Sequence, residues 1–133
     1  MPFVHITVFA PQLGGEQIRQ LEKATTDLMT VIMRKPIEGT AVFVEHIDSA
    51  GWTVAGAAVG RAAHVEATIG RGTNTANEKA RFISEMTKLL RCALGAELPN
   101  ETYVVLHELD HDAYGRGGIT RAERDPRRDA ASR

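Results

Sequence analysis

Cysteine is almost missing from this chain: Cys92 is the one thiol in 133 residues, so no internal disulfide can form and a reducing, cytoplasmic setting is expected. Long apolar runs are missing too, which excludes a membrane-spanning helix. An excess of either charge is lacking, with 16 Lys and Arg against 17 Asp and Glu, and neither a nucleic acid nor a membrane surface is implied as a partner. The opening Met-Pro-Phe-Val-His-Ile-Thr-Val has no basic region leading into an apolar stretch, so no signal peptide is expected.

What is present fits one compact domain, at 43% hydrophobic and 25% charged residues. Charge is uneven along it. Residues 1–115 carry 10 basic against 14 acidic side chains, and residues 116–133 carry 6 arginines against 3 acids. From Arg121 to Arg133 no large apolar residue occurs, and this stretch reads as a flexible charged tail.

Between Phe3 and Phe9, Val4, Ile6 and Val8 alternate with His5 and Thr7, the period of a strand. Ile18, Leu21, Thr25, Leu28, Met29 and Ile32 then recur at helical spacing, and that helix ends before Pro36. Thr40 to Ile47 is again strand-like, and Gly51 to Gly56 reads as a glycine-bounded hairpin around Trp52. The same order returns. His64 to Ile69 alternates, Phe82, Ile83, Met86, Leu89, Leu90, Ala93 and Leu94 form a second helical stripe, and Thr102 to Leu109 is a further strand before the glycine-rich turn at Tyr114. Thr75 and Glu78 have the spacing of a capping box, which starts the second helix near Asn77. Cys92 lies within that helical pattern as an ordinary helix residue.

The halves overlay. A shift of 62 lays Glu16 on Glu78, Trp52 on Tyr114 and Gly56 on Gly118, while the first strands need 61. An internal β-α-β duplication follows, with repeats over residues 2–60 and 61–120 in one domain. Each unit is a right-handed crossover of parallel strands. Two of them make an α/β (or α+β) fold, a four-stranded sheet with both helices on one face. The other face, with His5, Thr7, Glu66, Thr68, Ala41 and Phe43, is left open, so oligomerisation is expected.

An initial Met-Pro leading straight into a strand, then helix, strand and an aromatic-bearing glycine hairpin, resembles the 4-oxalocrotonate tautomerase family. Its double occurrence resembles the fused branch of that superfamily, with its macrophage migration inhibitory factor-like, cis-3-chloroacrylic acid dehalogenase and malonate semialdehyde decarboxylase groups. The resemblance implies a β-α-β-β-α-β homotrimer, no cofactor, a small carboxylate substrate and an amino-terminal proline as general base. That proline is Pro2, provided Met1 is removed. Its repeat partner Ala63 lies mid-chain, where the nitrogen is an amide, so each chain offers one such base.

In such relatives an arginine after the first strand binds the substrate carboxylate. The first half has Ala10, Pro11 and Gln12 there, and the second has Arg71 between two glycines. A further family arginine aligns with Ala41 and Tyr103, neither of them basic. Arg116 is a candidate replacement, Tyr103 a second-rank contact, and Tyr114 matches the aromatic that walls the pocket. Ala113 stands where dehalogenase relatives carry a water-activating carboxylate. The leading expectation is thus a tautomerase acting on a 2-oxo or enol carboxylate, ahead of a decarboxylase, a dehalogenase-like hydratase or a non-catalytic trimeric interaction protein. His107, Asp110, His111 and Asp112 contain ligand types but do not share one strand face, which disfavours a metal site.

Overall fold

A computed structural model describes residues 2–48 and 50–124. Met1 lies outside them, and with it the question of its removal; so do Ser49 and residues 125–133, the greater part of the expected tail.

Two β-α-β units are joined in the middle of one sheet. Strand β1 (Phe3–Phe9), helix α1 (Gly15–Val31) and strand β2 (Ala41–Ile47) form the first unit, and a small hairpin of β3 (Thr53–Val54) and β4 (Ala57–Ala58) follows. Strand β5 (Ala62–Gly70), helix α2 (Ala76–Leu94) and strand β6 (Tyr103–Leu109) form the second, followed by hairpin β7 (Gly115–Arg116) and β8 (Ile119–Thr120) and the short helix α3 (Arg121–Arg124). The sheet order is β2-β1-β5-β6, parallel within each unit and antiparallel where β1 meets β5. No helix among the described residues is long and apolar enough to cross a membrane.

Alternation decides which face is buried. Val4, Ile6 and Val8 from β1 and Val65, Ala67 and Ile69 from β5 are fully covered and meet Leu21 and Met29 of α1 and Phe82, Met86 and Leu90 of α2. Each large side chain removed from water in this way contributes about 1.5–3 kcal/mol. Thr25, also fully buried, satisfies its hydroxyl by donating to the Met86 sulfur at 3.8 Å. On the open face Phe3, Phe43 and Tyr103 remain 46%, 50% and 63% exposed. His5 stacks on Phe43 and bonds Glu45, and His107 bonds Glu66 and holds that carboxyl below its usual range.

The repeat is visible in the pairing itself. Phe3 lies opposite Ala41, and His64 opposite Tyr103, which reproduces shifts of 61 for the first strands and 62 for the second. One expectation changes. The helices keep the shift of 61, with N-caps at Gly14 and Thr75 and buried positions Leu21, Thr25 and Met29 matching Phe82, Met86 and Leu90. Gln17, not Glu16, is therefore the partner of Glu78. Each of these two side chains reaches back to its N-cap N–H at 2.9 Å. The extra residue of the second unit falls after its helix, in the connection to β6.

Residues 121–124, expected to belong to a flexible tail, form helix α3 instead. Arg121 donates its backbone N–H to Tyr114 O and Ala122 donates to His111 O, at 2.9 and 2.8 Å. Backbone pairing, not apolar burial, fixes residues 121–124 against the second hairpin.

Candidate active site

The start of β1, the start of β2 and the ends of β5 and β6 lie at one end of the sheet. Pro2 is buried there, and its carbonyl accepts the Ala41 N–H at 3.1 Å. Continuing the β1–β5 register by one residue sets Pro2 beside Ile69, next to Gly70 and Arg71.

Gly70 is the point on which the surrounding side chains converge. A Cβ built on it would lie 2.5 Å from the Tyr114 hydroxyl, 3.0 Å from His111 Nε2 and 3.2 Å from Arg121 Nη1. The bare Cα is what lets these groups approach the strand. The ring of Tyr114 stands edge-on to His111, whose Nε2 is 3.0 Å from Arg71 O, and its hydroxyl accepts Arg121 Nη1 at 3.1 Å.

Lys35 arrives from the first unit. It follows Arg34, whose φ of 58° lets the chain reverse after α1, and its N–H returns to Met29 O at 3.0 Å. The side chain is only 8% exposed, with Nζ donating to Thr73 Oγ1 at 2.8 Å, and that hydroxyl donates in turn to Gly70 O at 2.7 Å. Burial, reinforced by the charges of Arg121 and Arg34, lowers its pKa to about 8. Sequence reasoning passed over Lys35 because it sits outside every periodic element. The local signal was a lysine directly ahead of a proline that ends a helix connection.

Around this core the loops are laced together. Arg34 pairs with Glu78 at 2.7 Å, and Asn74 bridges Met33 O and Glu78. The Arg34 bond first, then those from Thr75 and Asn74, hold the Glu78 carboxyl at about 2.

The residues singled out from sequence separate into four groups. Pro2, Arg71 and Tyr114 share this end of the sheet. Arg71 does not stand free there: it pairs with Asp110 at 2.7 Å, which raises its pKa, and donates to Glu108 O at 3.2 Å. Arg116 lies on the adjoining hairpin, in a small cleft with Tyr114, Arg121 and Arg124. Tyr103, paired with His64, lies at the opposite end of β5 from Gly70, so one chain does not bring it to its own Pro2. His107 bonds Glu66 on β5, and His111 lies beyond β6 in the turn, so the two histidines do not stand on one strand face.

Residues 2–62 and again 63–122 match the family described as tautomerase enzyme. No curated protein matches the chain in sequence. Among solved structures the chain is similar to Q0, a fused 4-OT seen as a symmetric trimer, at 19% identity and TM-score 0.82 over 92% of this chain and 98% of that one. It is also similar to Pt0534 inactivated by 2-oxo-3-pentynoate, at 19% identity and TM-score 0.79 over 98% and 99%. A macrophage migration inhibitory factor-like protein from Entamoeba histolytica is a third, at 18% identity and TM-score 0.70 over 90% and 97%. At these identities the structures establish the fold, and the double family match over nearly the whole length shows that the chain belongs to the tautomerase family, as a fused two-repeat member.

Proposed function

We propose that the chain is a cofactor-independent tautomerase in which Pro2, as the amino terminus after loss of Met1, moves a proton on a small 2-oxo or enol carboxylate. The observation that carries this is the convergence at Gly70: a buried Pro2 lies beside a strand end that Tyr114 and Arg121 approach, with Arg71 next in the chain and Lys35 linked to Gly70 O through Thr73. A terminal proline nitrogen is a secondary amine whose ring fixes the direction of its lone pair. An α-amino group titrates at about 7.7–8.0, and burial beside cations lowers this toward the range of a working base.

In this reading Pro2 takes the proton from the carbon beside the 2-oxo group. Negative charge then develops on the 2-oxygen, and a cation held nearby in advance stabilises it there more than in the ground state. Lys35 is the better-buried cation for that role, while Arg71, shared with Asp110, binds the carboxylate at the rim. Tyr114 walls the pocket. Pro2 then returns the proton to oxygen or to another carbon.

The assembly that goes with this reading is a homotrimer. Phe3, Phe43 and Tyr103 on the open sheet face supply apolar surface for it, and Tyr103 would reach a Pro2 only from a neighbouring copy.

The test uses 2-oxo-3-pentynoate, the compound that inactivates the similar Pt0534. Intact mass first establishes that Met1 is gone, because a retained Met1 makes the Pro2 nitrogen an amide. One equivalent of label on the Pro2 peptide is expected. Pro2→Ala should block labelling and lower enolisation by about 100-fold or more. Activity should rise with pH through the Pro2 pKa, where an acid would lose it. Label on another peptide, or full activity in Pro2→Ala, would overturn the proposal.

A further inference from the structure

The second hairpin repeats the first in backbone but not in side chains. Val59 N–H bonds Trp52 O at 3.3 Å, and at the same places 62 residues later Arg121 N–H bonds Tyr114 O at 2.9 Å. On that shift Val54, Val59 and Ala62 of the first copy become Arg116, Arg121 and Arg124 of the second. The hairpin frame therefore needs no arginine at the first two places, and at the third, where the first copy has already entered β5, the second copy adds another arginine in α3.

These three arginines and Tyr114 line a cleft of about 100 Å³. Water takes about 30 Å³ in the liquid, so the cleft has room for a group of a few heavy atoms. Two of the guanidiniums are held in place. Arg121 donates to the Tyr114 hydroxyl at 3.1 Å, and Arg124 donates to Arg116 O at 2.7 Å. Among the described residues, the arginines paired with carboxylates are Arg19, Arg34 and Arg71, and none of the three in the cleft. Three like charges around one small space repel each other unless an anion sits among them. Guanidinium forks match the planar oxygens of a carboxylate or the oxygens of a phosphate. Arg121 also joins the cleft to the Pro2 end, since its Nη1 reaches within 3.2 Å of the Cβ position on Gly70 and its charge lowers the Lys35 pKa.

We infer that the cleft between the second hairpin and α3 is an oxyanion site, in which Arg116, Arg121 and Arg124 hold a carboxylate or phosphate group next to the Pro2 pocket. Its existence does not depend on Pro2 being a base. That dependence enters only if the bound group is part of the substrate.

Calorimetry with inorganic phosphate is run on the full chain, its Pro2→Ala form, Arg121→Gln and Arg124→Gln, with Arg19→Gln as the charge control. Steady-state kinetics compares a 2-oxo monocarboxylate with the same compound bearing a distal carboxylate. A free-ion site predicts phosphate binding that survives Pro2→Ala and Arg19→Gln and weakens about tenfold, or 1.4 kcal/mol, in each cleft variant. A substrate subsite predicts that Arg121→Gln and Arg124→Gln raise the KM of the diacid relative to the monoacid by about tenfold. If neither phosphate affinity nor the KM ratio moves in either cleft variant, the inference is wrong. A catalytically silent wild type that still loses phosphate binding in the cleft variants would overturn the tautomerase reading and leave the oxyanion site standing.

Discussion

The two ends of the sheet are built on the same plan and have diverged in chemistry. At the Pro2 end a glycine closes β5, and Lys35, His111, Tyr114 and Arg121 gather around it. At the repeat-related end Phe9 closes β1, Ala63 is buried in the place of Pro2, and His46 bonds Ala10 O at 2.7 Å. The entry to the following helix differs in the same sense. Thr75 and Glu78 satisfy each other's N–H in a full reciprocal box, while Gly14, without a side chain, only donates its own N–H to Gln17. Duplication set the frame, and the polar network was elaborated at one end alone. That asymmetry is expected if only one end has an amine to serve.

Filling the notch at Gly70 should break the difference most severely. Gly70→Ala places a methyl 2.5 Å from the Tyr114 hydroxyl, and because displacements near 1 Å cost on the order of 100-fold in rate, kcat/KM should fall by about that much. The atoms it meets are the ends of side chains, so the denaturant midpoint should move little. A large stability loss with kcat/KM per folded molecule intact would show that the notch serves packing.

Next in size is Lys35→Met, which should lower kcat by up to about 100-fold with less change in KM while making the fold more stable by about 1 kcal/mol, since a buried charge is exchanged for apolar volume. Thr73 keeps a partner through its own donation to Gly70 O. The sign with pH follows from the lowered pKa. Between about 8, the folded value, and the ordinary 10.5 the unfolded chain binds more protons, so wild-type stability rises with pH across that window. Denaturation of the Lys35→Met protein should lack this rise.

Smaller still is Glu78→Gln, which makes the second helix entry resemble the first. Its cost should be small, that of a weakened cap. Glu78 stabilises the fold fully above 4.5 and loses that contribution as pH falls from 4.5 to about 2, so the variant should show a shallower acid transition across that interval. A transition unchanged in shape would mean that the Arg34 lacing does not hold the loops.

Much of the architecture was readable because strand and helix periods differ and each occurs twice. Val4, Ile6 and Val8 specify one face, and the strand offsets of 61 and 62 recur in the observed pairing. The helix overlay slipped by one because Glu16 and Glu78 are the same letter, whereas the shared property is a side chain returning to an N-cap, which Gln17 performs. Lys35 and Arg121 were illegible for another reason. Neither belongs to a periodic pattern, and what makes each notable, burial for one and backbone pairing to the second hairpin for the other, arises only when distant segments meet.

Arg34 carries one more consequence. As a non-glycine residue at φ 58° it holds a left-handed turn that costs roughly 1 kcal/mol, and the bonds that secure it come from Thr73 and Glu78 in the other repeat. During synthesis the bend between α1 and β2 thus stays without its side-chain restraints until residue 78 has left the ribosome. The ammonium of Lys35, one residue further on, gains its hydroxyl partner Thr73 over the same interval. A nascent first repeat therefore has the backbone bonds of Pro2 O to Ala41 N–H and of Lys35 N–H to Met29 O, but nothing yet to hold the Lys35 ammonium.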